Sequence, residues 1–333
     1  MQYRKLGAMG LWVSAIGLGC MALSEFYGRA DPMSCARTLR HAVSRGITLI
    51  DTAASYGALR YGEAANETLV GKALRGIRDS VVLATKFGVM RHRGRRVVNN
   101  SPAYIRRSID KSLTRLGVDH VDLYYAHRRD PNVPIEDLVG EMAKLVTAGK
   151  VRHLGLSEVC AETLRRANKE HQITALQSEY SLLTRQIERD VLPVAQELGV
   201  GVVAYAPMGR GLLAGRMRSV DRLYRKDLRR SHPRFRPGSL PSNLVLVDQV
   251  KAIARDIGCT PAQLALAWLL SKPAGVVPIP GTSKIRHLDE NLAAVDVRLN
   301  DYHESLLNKV FQTDGVVGAR NTPAALALME WSE

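Results

Sequence analysis

Three segments in the first half of the sequence decide the predicted fold: VVLATK at Val81–Lys86, YIRRSIDKSLTRL at Tyr104–Leu116 and VDLYYAH at Val121–His127. The first and last are apolar along most of their length, which indicates strands covered on both faces, as in a parallel sheet. Between them, Ile105 and Ile109 lie four positions apart, the spacing that places both on one helix face. The stretch is therefore predicted to be a β–α–β unit.

The same alternation extends in both directions along the chain. Further apolar runs occur at Val13–Gly19, Ile47–Thr52, Val151–Ser157, Ala175–Tyr180, Gly201–Ala206 and Val276–Pro280. Helical patterns separate the runs, among them Cys35–Ser44, Ile135–Ala148 and Ala262–Leu270. Together with Val81–Lys86 and Val121–His127, there are eight apolar runs. This number favours closure into a (β/α)8 barrel over an open doubly wound sheet.

Two segments stand outside this alternation. Residues 1–12 are predicted to form a hairpin that turns at Gly7–Gly10 and plugs the bottom of the barrel. Residues 210–242 are rich in glycine, proline and arginine and follow the seventh strand, and so long a loop in a compact domain is usually functional, often as a lid. Because no linker interrupts the pattern, residues 1–333 are predicted to be one α/β domain, a barrel with long loops on its C-terminal face.

Composition limits the classes of protein that fit. Hydrophobic residues make up 46% of the chain and charged residues 24%, as in a globular protein with a sizeable core. The four cysteines are widely spaced, which fits neither a zinc cluster nor a disulfide framework and indicates the reducing cytoplasm. No apolar run approaches the ~20 residues that span a bilayer, so no membrane partner is predicted.

The net charge of +15 raises the question of an anionic partner. Basic residues cluster at 91–96 and 222–236, but aromatic residues are not interleaved with them as on a surface that stacks bases. The sequence therefore favours an anionic cofactor over nucleic acid and leaves the role of the two clusters and an oligomer open. The histidines show no metal-ligand spacing, so no metal is predicted.

Reactive side chains stand at the ends of successive predicted strands. Asp51 ends the second strand and Tyr56 follows five residues later, while Lys86 ends the third strand and His127 the fourth. Active sites of such barrels lie at the C-terminal ends of the strands. Alone, each residue has an ordinary structural interpretation, as a helix cap, a solvated amine, a packed phenol or a hydrogen-bonded imidazole. Their convergence favours catalysis, and they are called the tetrad below.

The chemistry of the tetrad suits protonation of a carbonyl oxygen. A free tyrosine has a pKa of about 10 and exchanges protons poorly at neutral pH. A neighbouring ammonium such as Lys86 favours the phenolate, so it is expected to lower the pKa of Tyr56. Asp51 can hold Lys86 in place, and His127 can orient a substrate oxygen by a hydrogen bond. We therefore expect proton donation to oxygen while a hydride arrives at carbon.

The segment Asp51–Gly57 (DTAASYG) resembles the Asp-Thr-Ala-x-x-Tyr-Gly motif of the aldo-keto reductases. Lys86 in ATKFG and His127 in YYAHR fall at positions of that family, and Ala126 replaces a longer side chain. The resemblance covers nearly the whole chain, within the branch of bacterial and plant ketone reductases and potassium-channel β subunits. It implies NADPH-dependent reduction of aldehydes and ketones to alcohols, with Tyr56 as the general acid.

The resemblance also implies where NADPH binds. It assigns the nicotinamide half to Gly19, Cys20, Met21, Asp51, Ser157, Glu158, Gln177 and Tyr205. It assigns the pyrophosphate loop to Pro207, Met208, Gly209, Gly211 and Leu213. It assigns the adenine half to Gly281, Thr282, Ser283, Lys284, His287, Glu290 and Asn291. Glu158 stands where other branches have Asn, and His287 where some relatives have Arg.

Lys284 decides the expected cofactor preference. Residues 281–283 open a helix whose free N–H groups suit an anion. Cations at a helix N-terminus oppose its dipole, so a bound 2′-phosphate explains Lys284 better than an ordinary cap does. NADPH is therefore expected to bind more tightly than NADH.

The substrate pocket is predicted to have apolar walls from Phe26, Tyr27 and Phe87, beside Tyr56 and His127. Two other functions stay open. One is a regulatory sensor that binds a nicotinamide cofactor with weak catalysis, as in channel β subunits, and the other is a barrel lyase or isomerase without nicotinamide. The intact tetrad favours a small-molecule carbonyl substrate.

Overall fold

The computed structural model describes residues 1–28, 30–57, 65–92, 95–273, 275–312 and 315–330. Its strands are β1 (Tyr3–Leu6), β2 (Leu11–Ser14), β3 (Leu18–Gly19), β4 (Leu49–Asp51), β5 (Val82–Phe87), β6 (Val89–His92), β7 (Arg95–Val98), β8 (Val121–Ala126), β9 (Val151–Ser157), β10 (Ala175–Glu179), β11 (Gly201–Tyr205) and β12 (Val277–Pro278). Strands β1 and β2 form one antiparallel hairpin, and β6 and β7 form another.

Eight parallel strands form the central sheet, in the order β12-β11-β10-β9-β8-β5-β4-β3. The sheet closes because the amides of Gly17 and Gly19 donate hydrogen bonds to the carbonyls of Pro278 (3.0 Å) and Pro280 (3.4 Å). A Cβ on Gly19 would lie 2.7 Å from the oxygen of Ile279, so only glycine allows the first and last strands to approach so closely. The predicted (β/α)8 barrel is confirmed.

Helices cover the outside of the barrel. They are α1 (Pro32–Ser44), α2 (Ala65–Leu74), α3 (Pro102–Leu116), α4 (Ile135–Thr147), α5 (Ala161–Glu170), α6 (Val191–Glu197), α7 (Leu240–Ile257), α8 (Pro261–Leu270), α9 (Ile285–Leu292), α10 (Asp301–Val310) and α11 (Pro323–Leu326). Several begin with proline, whose missing N–H costs nothing at the first helical position. None of the helices within the described residues is long and apolar enough to cross a membrane.

The N-terminal hairpin closes the barrel at the N-terminal ends of its strands. The amide of Ala8 donates a 2.6 Å hydrogen bond to the oxygen of Gly199, just before β11. Leu6 and Val13 pack into the apolar cluster inside the barrel. The hairpin therefore extends to Ser14, and the apolar run predicted as one strand, Val13–Gly19, is divided between the hairpin and β3.

The long segment after β11 contains short 3-10 turns at Gly209–Gly211, Leu228–Arg230 and Pro233–Phe235. Helix α7 begins at Leu240, slightly before the predicted end of this loop at residue 242. The segment emerges at the C-terminal ends of the strands, where the tetrad also lies. The assignment of residues 1–333 to one domain stays a prediction.

Candidate active site

Strands β4 and β5 bring Asp51 and Lys86 together at the C-terminal end of the barrel. The Lys86 ammonium donates to Asp51 Oδ1 at 2.5 Å and to the carbonyl of Thr52 at 2.8 Å. Lys86 is 0% exposed and Asp51 2%, so the two charges compensate one another away from water. The structure therefore holds the ammonium in one position.

Tyr56 and His127 complete the tetrad. The Lys86 ammonium also donates to the phenol oxygen of Tyr56 at 3.4 Å. The rings of Tyr56 and His127 meet edge to face, with their centroids 5.8 Å apart. His127 is fixed at the end of β8 because its amide donates to the oxygen of Phe87 at 2.8 Å. All four tetrad residues thus lie together, although they come from three strands and a loop.

Burial governs the protonation of these groups. It raises the pKa of the Tyr56 phenol well above 10.0, and the neighbouring charge of Asp51 raises it further. Burial also lowers the pKa of Lys86, although the charge of Asp51 raises it. Burial likewise lowers the pKa of His127 well below 6.5, and the charge of Arg128 lowers it further. The expectation of a lowered pKa for Tyr56 is therefore corrected, because loss of solvation and the charge of Asp51 determine the net direction. Tyr56 and His127 are both neutral at pH 7.

A cavity of about 1140 Å³ opens at this end of the barrel and is large enough for a dinucleotide and a small substrate. Asp51, Tyr56 and His127 line its floor. Of the other expected site residues, it is lined by Gly19, Met21, Phe26, Tyr27, Ser157, Gln177, Tyr205, Pro207, Met208, Gly211, Gly281, Thr282, Ser283, Lys284, His287, Glu290 and Asn291.

Four expected cofactor residues do not line the cavity: Cys20, Glu158, Gly209 and Leu213. Cys20 and Leu213 are fully buried in the core outside the barrel strands. Gly209 has a positive φ of 54° and packs against a leucine side chain. These three residues lie behind the cavity lining, and the side chains of Cys20 and Leu213 do not line the cavity.

Glu158 has a structural partner instead. Its carboxylate lies 2.8 Å from the guanidinium of Arg320, and its Oε1 accepts the amide of Glu179 at 2.8 Å. Both partners of the ion pair are buried. Glu158 therefore holds the C-terminal segment against the ends of β9 and β10, and a side-chain contact with the cofactor is not supported.

Phe87 does not form a wall of the pocket. Its ring stacks on Tyr124 with centroids 4.8 Å apart, in the core between the sheet and the helices. Successive side chains of a strand point to opposite faces, so Phe87 must face away from the tetrad when Lys86 faces it. Phe26 and Tyr27 do line the cavity, as predicted.

Two polar side chains are already oriented by their neighbours. Gln177 donates its Nε2 to Asp51 Oδ2 at 2.8 Å, which leaves the amide oxygen as an acceptor. Ser157 Oγ accepts a bond of 3.1 Å from Arg128, which leaves the hydroxyl proton to donate. An acceptor and a donor side by side suit a primary carboxamide.

The cavity is also lined by the N-terminus of α9 and the residues before it. Lys284 caps α9, and its amide donates to Thr282 Oγ1 at 3.1 Å. Glu290 forms an ion pair with Arg216, which joins α9 to the segment after β11. The buried Nδ2 of Asn291 has no hydrogen-bond partner among the described residues, so a donor is available there.

Sequence reasoning missed several cavity residues. Arg96 and Arg128 line the cavity near the tetrad, as does Glu25. Asn321, Thr322, Ala325, Leu328 and Met329 of the C-terminal segment form part of the rim. Arg128 directly follows His127, so its position after a strand end was a usable signal. The C-terminal segment carries no such signal.

No cluster of three or more His, Cys, Asp or Glu side chains suited to a metal occurs in the described part of the chain.

Comparisons with known proteins agree with this geometry. The model of the aldo/keto reductase family matches residues 15–311. A thermostable aldo-keto reductase solved with the inhibitor epalrestat is 30% identical, with a TM-score of 0.74 over 93% of this chain and 100% of that one. Glycerol dehydrogenase of Gluconobacter oxydans is 28% identical, with a TM-score of 0.80 over 92% and 94%. An aldo/keto reductase of Klebsiella pneumoniae, solved with NADP and acetate, is 29% identical, with a TM-score of 0.72 over 93% and 96%.

Proteins of this family are oxidoreductases that use nicotinamide cofactors on small carbonyl compounds. Because the match spans most of its length, this chain belongs to the aldo/keto reductase family.

Proposed function

We propose that this protein reduces aldehydes or ketones to alcohols with NADPH, and that Tyr56 donates the proton. The main support is the series Asp51–Lys86–Tyr56, in which the buried ammonium lies 2.5 Å from the buried carboxylate and 3.4 Å from the half-buried phenol's oxygen. An ammonium held this rigidly beside a phenol stabilises the phenolate that forms as the proton leaves.

The cavity fits a nicotinamide dinucleotide. Gln177 and Ser157 would hold the carboxamide, and Tyr205 lies beside them in the cavity lining. The N-terminus of α9 and Lys284 would hold the phosphate of the adenosine half, and the unpartnered amide of Asn291 suits the base. When bound, the cofactor would supply the hydride.

The protein's own side chains would donate the proton to the substrate oxygen and stabilise the charge that remains. Tyr56 is a neutral phenol at pH 7, so it can donate to a carbonyl oxygen that becomes an alkoxide. Lys86 would stabilise the resulting phenolate, while Asp51 keeps the ammonium in place. His127 stays neutral and so offers one N–H to orient the substrate oxygen.

A panel of aldehydes, ketones and quinones, assayed for oxidation of NADPH, tests the reaction class. Turnover of at least one group is expected, with cofactor binding seen as quenching of tryptophan fluorescence. Tight cofactor binding without turnover would instead favour a regulatory sensor. Absence of both would exclude the proposal.

Lys284 is expected to set the preference for NADPH. A 2′-phosphate gains charge-assisted hydrogen bonds that a ribose hydroxyl does not, so Lys284→Ala should weaken NADPH binding about tenfold or more and NADH binding much less. Dissociation constants from fluorescence titration measure both. Lys309→Ala is a matched control, because Lys309 is exposed on α10 and does not line the cavity. Equal affinities for NADPH and NADH, or an unchanged ratio in Lys284→Ala, would refute this assignment.

We further propose that residues 210–239 act as a lid over the cofactor. The amide of Leu228 donates to the oxygen of Phe26 at 3.2 Å, and the guanidinium of Arg229 lies 5.1 Å from the ring centroid of Tyr27. Arg216 reaches Glu290 on the far side. The segment thus touches both sides of the cavity.

Limited trypsin digestion tests the lid. Arg222, Arg225 and Lys226 are exposed cleavage sites within it. Saturating NADPH should slow their cleavage by roughly tenfold or more, because ligand that binds only the closed form shifts the opening equilibrium. Digestion of casein with and without NADPH controls for an effect on trypsin itself. Equal cleavage rates would show that the segment does not close over the cofactor.

We also propose a cytoplasmic location. Its support is the state of the four cysteines, Cys20, Cys35, Cys160 and Cys259, none of which is paired in a disulfide. Free thiols persist in a reducing compartment. Cell fractionation with an antibody to the chain would test this location.

A further inference from the structure

Arg128 lines the cavity, and its contacts within the described part of the chain are to neutral oxygens. It directly follows His127, and its guanidinium donates to the carbonyl of His127 and, at 3.1 Å, to Ser157 Oγ. Among the residues that the structure describes, no carboxylate lies within salt-bridge distance of it. Both contacts are to neutral oxygens, so its positive charge is uncompensated at the edge of the tetrad.

Arg96 lies on strand β7, which borders the same cavity. Its guanidinium lies 5.3 Å from the ring centroid of Phe26 and 4.0 Å from Glu25 Oε1. The other oxygen of Glu25 accepts the amide of Gly57 at 3.2 Å, so this carboxylate also serves a partner besides Arg96. Arg96 is thus held in place by one distant carboxylate and an aromatic face.

The charges of both guanidinium groups affect the pKa values of two tetrad residues, Tyr56 and His127. Arg128 and Arg96 each lower the pKa of Tyr56 against the dominant effect of burial, and each lowers the pKa of His127. Both arginines also line the cavity that Tyr56 and His127 line, so a substrate bound beside the tetrad can reach them. The side chain of Arg96 is 40% exposed; its partial loss of solvation and the charges of Arg91 and Arg128 lower its pKa, and a nearby anion would act in the opposite direction.

Among the described residues near the tetrad, positive side chains therefore outnumber negative ones: Lys86, Arg96 and Arg128 against Asp51 and Glu25. Asp51 is engaged by Lys86 at 2.5 Å, and Glu25 is 4% exposed and faces Arg96. No carboxylate of the described residues forms an ion pair with Arg128. A guanidinium presents a planar fork of N–H donors that matches a carboxylate or phosphate.

We propose that the carbonyl substrate carries an anionic group, carboxylate or phosphate, and that Arg96 and Arg128 bind it while Tyr56 protonates the carbonyl oxygen. This inference rests on the proposed reductase function. The 2′-phosphate of the cofactor is expected beside Lys284 and its pyrophosphate beside residues 207–213, so neither is assigned to these two arginines.

Matched pairs of aldehydes test the proposal. The first pair is 4-carboxybenzaldehyde and its neutral methyl ester, which share the ring; the ester activates the aldehyde more strongly than the carboxylate does, so electronic activation does not account for a preference for the anion. The second is glyceraldehyde 3-phosphate and glyceraldehyde. The anion should raise kcat/KM by about tenfold or more in at least one pair, as expected for hydrogen bonds between charged groups. The two pairs also distinguish a carboxylate site from a phosphate site. Added salt should reduce the preference through screening.

Substitutions at the two arginines test whether these side chains cause the preference for anionic aldehydes. Arg96→Gln and Arg128→Gln should each reduce the ratio of kcat/KM between the anionic and neutral aldehydes about tenfold. Arg128→Lys should retain part of the ratio, because it keeps the charge and loses the fork. Arg75→Gln is the control, since Arg75 is exposed just after α2 and does not line the cavity. This variant should retain the preference of the parent protein.

A binding measurement separates this inference from the reductase proposal. Benzoate should bind the complex with NADP+ at least about tenfold more tightly than benzamide, and Arg128→Gln should remove the difference. Equal kcat/KM within both aldehyde pairs would overturn the inference and leave the reductase function intact. So would an Arg128→Gln protein that binds NADPH more weakly but keeps the preference, because Arg128 would then serve the cofactor. Reduction of neither aldehyde, with benzoate still preferred, would instead contradict the proposed function alone.

Discussion

Replacing Tyr56 with phenylalanine is expected to lower kcat for carbonyl reduction by about 10²–10⁴-fold, the range typical of general acid catalysis. The variant removes only the hydroxyl group that lies 3.4 Å from the Lys86 ammonium. The phenol is the sole tetrad group that is both neutral and acidic enough to donate, because burial keeps His127 unprotonated and Asp51 is bound to Lys86. Steady-state rates with saturating NADPH measure the effect.

Cofactor binding and folding should be nearly unchanged in Tyr56→Phe, because the ring and its contact with His127 are kept. Tyr125→Phe is the matched control. Tyr125 is a second buried phenol, 5.9 Å from Lys86 Nζ to its ring centroid, but it lies inside the barrel and does not line the cavity. Tyr125→Phe should keep most of the activity. If Tyr56→Phe also keeps it, another group donates the proton.

The barrel and the tetrad could be predicted because their signals are local. Apolar runs that alternate with helical segments indicate a parallel sheet, and the last residue of each run identifies the catalytic end. Asp51, Lys86 and His127 each occupy such a position, so one rule finds all three. The predicted direction of the shift in the pKa of Tyr56 was wrong. The sequence motif shows the neighbouring Lys86, but it does not show how far the phenol is removed from solvent in the folded protein.

Pairings between distant segments could not be predicted. Glu158 and Arg320 meet only because the C-terminal segment crosses the end of the barrel, and no pattern in either segment points to the other. Arg96 approaches Glu25 for a similar reason, since two loops from different strands converge. Phe87 is different, because the alternation of side chains along β5 would have placed it opposite Lys86.

Lys86→Met is expected to lose both stability and activity. It leaves the buried carboxylate of Asp51, 2% exposed, without its cation, although Gln177 still donates to it at 2.8 Å. Breaking a buried ion pair from one side costs about 3–5 kcal/mol of the free energy of unfolding. The ammonium beside Tyr56 is lost as well, so kcat should fall about 10²-fold or more, as when a preorganised donor is removed. Denaturant titration and steady-state kinetics measure the two losses.

The double variant Asp51→Asn/Lys86→Met separates the two roles of Lys86. With both charges gone, no unpaired carboxylate remains, so the double variant should recover much of the stability lost in Lys86→Met. Activity should not recover, because nothing stabilises the phenolate of Tyr56. The pH dependence gives a second measurement. The pKa of Lys86 is lowered from 10.5 and that of Tyr56 is raised, so in the parent protein kcat should first fall with rising pH as Lys86 loses its proton. That alkaline fall should be absent from both variants. An active Lys86→Met protein with the parent's pH profile would contradict the proposed coupling between the ammonium and the phenol.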